Sequence, residues 1–142
     1  MIVNPSAVTP IQIEWQGVIR MRERIGHLVL STFAFDVSRS PAFGDVLYNL
    51  PFLLAIDVLK QVLLQAREDG QFTGSGSQLG DLIDSAKSSI PWVDWQCLRE
   101  GVQRRNEVVQ YGRLFGDVQS LRAIADVEAQ LVNWGIITAA SS

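Results

Sequence analysis

Residues 43–67 read FGDVLYNLPFLLAIDVLKQVLLQAR. Leu47, Leu50, Leu53, Leu54, Ile56, Val58, Leu59, Val62 and Leu63 recur at steps of three and four. That spacing gathers side chains on one side of a helix turning about 100° per residue. A strand would need strict alternation, and this run shows none. Pro51 lies inside it, so the helix starts either at Phe43 or at Pro51, where proline suits a first turn and Asn49 or a neighbour serves as cap. The apolar stretch Leu50 to Leu59 is interrupted by Asp57 and is far shorter than the roughly 20 residues of a membrane span. No membrane-spanning segment is expected.

The flanking sequence carries the same signal. From Ile11 to about Val37, Trp15, Val18, Ile19, Met21, Ile25, Leu28, Val29, Leu30, Phe33 and Phe35 repeat at helical spacing, and Ser38 to Pro41 ends the pattern. Glu68 to Gly80, with four glycines among serines, reads as a flexible loop. Leu79 to about Ser88 forms a short helix with Leu82, Ile83 and Ala86 on one side. Pro91 suits the first turn of a helix reaching Tyr111 and stopped near Gly112, and Asp117 or Ser120 caps a last helix from about Val118 to Trp134. Nothing reads as a sheet, and no repeat of solenoid length occurs. The expected fold is all-α: one domain over residues 1–142, an antiparallel bundle of four main helices plus one short helix, with 1–10 a flexible N-terminus.

Composition narrows the function. A chain of 142 residues, 47% hydrophobic and 19% charged, suits one domain with a substantial core and apolar surface that a second subunit covers. The net charge of −3 argues against nonspecific nucleic-acid binding through overall positive charge. Lysine is confined to Lys60 and Lys87, and arginine, the better bidentate partner of phosphate, supplies the other cations. Arg20, Arg22 and Arg24 read as a solvated face beside Glu23. Cys97 is the single cysteine, so no internal disulfide forms and a reducing cytoplasm is expected. The N-terminus lacks the pattern of a signal peptide.

Catalytic and cofactor motifs are sparse. His27 is the only histidine, so neither a di-iron nor a histidine-zinc site is expected, and Cys97 has no nearby histidine to activate it. Asp81 and Asp84 are spaced like one magnesium-binding pair, without a matching pair on a long helix. The Gly74-Ser75-Gly76 loop matches neither dinucleotide nor P-loop spacing, and no strand precedes it. No metal or cofactor is expected.

The chemically informative segment is Arg104-Arg105-Asn106-Glu107-Val108-Val109-Gln110-Tyr111. On a helical wheel Trp95, Leu98, Val102 and Val109 share one arc, with Arg105 and Asn106 roughly 50° to either side of its centre and Gln110 at the margin. A guanidinium there needs a paired acid, a groove or a second chain, because an isolated buried charge costs several kcal/mol or more.

The five-helix order, the Gly/Ser loop before a short third helix and the late Arg-Asn pair resemble the HEPN superfamily. The resemblance spans the chain in architecture and one short motif in sequence: arginine, then asparagine or another polar residue, then three to five residues and a histidine. It implies a homodimer in which two motifs share an RNA-cleaving cleft, and metal-independent ribonuclease activity in toxin-antitoxin or phage-defence systems. An antitoxin or a nucleotidyltransferase is the implied partner. Arg105 and Asn106 match, but Gln110 stands where the histidine is expected. An amide does not titrate, and general acid-base catalysis contributes typically about 10²–10⁴-fold, so cleavage is expected to be weak or lost. Arg104 offers a shifted register that still ends on Gln110. Tyr111 follows Gln110 directly, one residue earlier than the tyrosine that partner enzymes modify in some members, so that role is not carried over.

On these residues three functions compete. The first is an RNA- or nucleotide-binding homodimer using Arg105, Asn106 and Gln110. The second is a structural or partner-binding module, with Arg105 paired to Glu107 or Asp94 of a second copy. The third is an active ribonuclease in which Tyr111 or Arg105 replaces the histidine.

Overall fold

In the computed structural model, residues 3–35, 42–114 and 116–138 are described, the side chains of 29–35 and 42–46 excepted. They form five helices and no strand: α1 (Pro5–Phe35), α2 (Ala42–Glu68), α3 (Leu79–Ala86), α4 (Trp95–Tyr111) and α5 (Asp117–Asn133). The all-α expectation holds. The expected break at Ser38 to Pro41 lies outside the described residues.

α2 is the central element, packing against each of the other four helices. Phe52, Ala55, Ile56, Leu59, Val62, Leu63 and Ala66 are all buried, and Val58 widens the apolar arc so that several neighbours share it. This helix runs through Pro51 rather than starting there. Its segment Leu47–Glu68 is long and apolar enough to cross a membrane by length and composition, yet half of it is buried inside the protein, as befits a core helix. α1 begins at Pro5, so residues 5–10 are not the flexible end expected. Asn4 Oδ1 accepts from the Ser6 backbone N–H at 3.0 Å, and the Asn4 N–H donates to Asp69 Oδ2 at 2.6 Å beyond the end of α2. Val3, Val8, Ile11, Trp15, Val18 and Ile25 of this first segment are buried.

The loop after α2 is held rather than free. Arg67 Nη1 donates to the carbonyl of Gly74 at 3.3 Å and also to that of Gly76. A Cβ on Gly76 would sit 2.6 Å from Asp81 Cγ in the first turn of α3. Gly76→Ala is therefore expected to destabilise the protein by about 1–3 kcal/mol, because the helix cannot recede without losing core contacts. Denaturant titration checks this, and an unchanged midpoint would show that the loop relaxes freely.

α4 begins four residues later than Pro91 suggested. Pro91 and Val93 are instead pinned to α5: Trp134 Nε1 and Gln130 Nε2 donate to the Pro91 carbonyl at 2.7 and 3.4 Å, and Gln130 Oε1 accepts the Val93 N–H at 2.8 Å. Trp92 and Trp95 give their indole N–H groups to Ala86 and Ile83 carbonyls at the end of α3. α5 is capped by Gly116, whose N–H meets Gln119 Oε1 at 3.3 Å, and not by Asp117 or Ser120. Ser120 is buried within the helix.

Candidate functional site

Asp94 caps α4, its Oδ1 accepting the Cys97 backbone N–H at 3.1 Å. That hydrogen bond holds the Asp94 carboxyl below the usual carboxylate range. The Cys97 thiol donates to Asp94 Oδ2 at 3.1 Å, and this bond to a carboxylate pushes the thiol up to about 11. The thiol thus stays protonated near neutral pH, as suits a packed rather than a nucleophilic cysteine. Alkylation by iodoacetamide is expected to be roughly tenfold slower than for a cysteine peptide, since roughly 100-fold less thiolate is offset in part by the stronger nucleophilicity of a basic one. Asp94→Asn keeps a capping side chain and is expected to speed the reaction; equal rates would refute the assignment.

Leu98, Gly101 and Val102 form the buried face of α4, and Arg105 continues that face one turn later. Val109, expected in the same arc, is 56% exposed, because the last turns of α4 run past the core while Val108 makes the remaining apolar contact. Gly112, at φ +64°, stops the helix in a backbone conformation that suits glycine, with its N–H on the Val108 carbonyl at 3.0 Å.

Arg105 and Asn106 are half-buried, and Arg105 Nη1 donates to Asn106 Oδ1 at a long 3.4 Å. Among the described residues no carboxylate pairs with Arg105. Both acids considered for it are engaged within the chain: Glu107 pairs with Arg104 at 3.3 Å, and Asp94 caps the helix. Gln110 is exposed, and Tyr111 is 69% exposed with the Arg113 guanidinium 5.5 Å from its ring centre. The motif therefore forms a half-buried Arg105–Asn106 pair, with Gln110 and Tyr111 in solvent beyond it.

Arg104 faces elsewhere. It lines a cleft of about 210 Å³ between α4 and α5 with Glu100, Gln119, Arg122 and Asp126. Burial raises the Asp126 carboxyl and Asp94 adds to the rise, against the opposing charge of Arg122. The α5 residues escaped sequence reading, although Arg122 and Asp126 lie four apart, one helical turn. Asp84, read as half of an acidic pair, is bound by Arg99 at 2.9 Å. No family model matches the chain, and no curated protein or solved structure matches it either.

Proposed function

We propose that the chain is a HEPN-like homodimeric domain that binds RNA or a nucleotide phosphate through Arg105, Asn106 and Gln110 of two copies, with ribonuclease activity weakened or lost. It would serve a cytoplasmic toxin-antitoxin or defence-type system, with an antitoxin or nucleotidyltransferase as partner. One observation carries the reading: Arg105 is partly buried on the core-facing side of α4, and no carboxylate among the described residues pairs with its guanidinium. A cation so placed lacks the anion that would offset its desolvation, and phosphate oxygens fit its fork. Val109, Tyr111, Leu114 and Val118, all more than half exposed around the same end of α4, supply apolar surface for a second copy. Gln110 can orient a ligand by hydrogen bonding but cannot move a proton. The test is binding of labelled RNA, with light scattering at micromolar concentration: failure to bind, or a monomer, removes the proposal.

The exposed apolar end of α4 also favours a second reading, a structural or partner-binding module without a ligand. In that case Arg105→Met leaves the dimer as stable as before and RNA binding is never seen.

A further inference from the structure

α1 and α5 both pack against α2, and a groove of about 350 Å³ runs between α1 and the second half of α5 with the residues that follow it. Trp15, Ile19 and Ile137 form its apolar wall, and Gln12, whose amide donates to the Ile136 carbonyl at 2.8 Å, ties the two sides together. Among the described residues Glu128 is the one charged group lining it. The Glu128 Oε2 atom is buried and has no hydrogen-bond donor among the described residues. Arg22 Nη1 stands 3.8 Å away, within reach of Coulomb attraction but beyond a hydrogen bond. A buried carboxylate oxygen without a donor is costly, and Arg22 answers its charge but not its need for a hydrogen bond.

We propose that this groove binds a primary alkylammonium ion, whose N–H groups donate to the Glu128 carboxylate in the place Arg22 now holds, while its hydrocarbon chain lies on Trp15, Ile19 and Ile137. An ammonium fits better than a second guanidinium: it is a compact charge with three donors on a flexible stem. Arg22 is then an internal competitor for the same oxygen. The site is independent of the Arg105 motif on α4, which contributes no residue to it.

Calorimetric titration of the intact protein with hexylammonium, hexan-1-ol and hexanoate at constant ionic strength tests the assignment. Hexylammonium is expected to bind saturably at one site with a Kd of about millimolar or tighter, and the alcohol and carboxylate far more weakly. Glu128→Gln keeps the shape, removes the charge and is expected to weaken hexylammonium at least about tenfold. Arg22→Gln is expected to tighten it several-fold by removing the competitor. Absence of hexylammonium binding, equal binding of hexan-1-ol, or unchanged affinity in Glu128→Gln overturns the proposal. Should Glu128→Gln fail to fold, Arg22→Gln decides alone, since unchanged or weaker binding there also overturns it.

Discussion

Trp134→Ala is expected to destabilise the protein by about 3–5 kcal/mol, which in a domain of this size lowers Tm by about 10–15 °C. The indole is buried at the end of α5 and packs edge-on against Trp92 at 5.0 Å between ring centres. Its N–H reaches the Pro91 carbonyl at 2.7 Å. Removing it leaves a cavity and breaks one of the hydrogen bonds that pin the α3–α4 connection. Gln130→Leu separates those effects, because it nearly conserves volume. Gln130 is fully buried, and a leucine in its place would leave the Val93 N–H without its acceptor, a cost of about 1–3 kcal/mol. Thermal unfolding of both variants checks the ordering; a Gln130→Leu protein as stable as wild type would show that the connection is not held through this amide.

Arg105→Ala is expected to weaken RNA binding about 10–100-fold, the loss of a charge-assisted, bidentate contact. Stability should change little, because the side chain is partly exposed and, among the described residues, joined only to Asn106 by a long hydrogen bond. Arg105→Lys is expected to fall between, keeping the charge but losing the planar fork. If the contact is to phosphate, the dependence of log affinity on log salt flattens by about one unit. Gln110→His provides the catalytic arm: metal-free cleavage present only in that variant marks a site that binds but lacks its proton carrier. Binding unaffected by Arg105→Ala would remove the guanidinium from the site.

The helical segments were legible because periodicity is a local property. From Ile56 onward the apolar positions of α2, and the trio Leu82, Ile83 and Ala86 of α3, proved buried where the pattern put them, whereas Leu50 and Leu54 face outward and Leu47 and Leu53 are only partly covered. The helix starts were less legible. Pro91 has the right chemistry for a first turn, yet Gln130 and Trp134 claim the peptide groups on either side of Trp92. Gly76 looked like a flexible glycine, although the adjacent Asp81 side chain requires it. In the candidate site, the wheel gave the angles of Arg105 and Val109 but not their height along α4. Burial depends on where the neighbouring helices end, so Val109 emerges into solvent.

The sequence by itself determined that this chain is helical, in five segments, with a guanidinium and an amide late on the fourth and glutamine where the resemblance expects histidine. Tertiary structure alone decided that α2 is the centre of the bundle, that Arg104 turns to α5 while Arg105 turns inward without an acid among the described residues, and that Glu128 borders a groove with Trp15. Each of these depends on contacts between residues far apart in the chain, such as the bonds spanning 37 and 43 positions that anchor Val93 and Pro91. Such contacts leave no periodic trace in the sequence, because they are selected by the shape of the packed core and not by the geometry of any one helix.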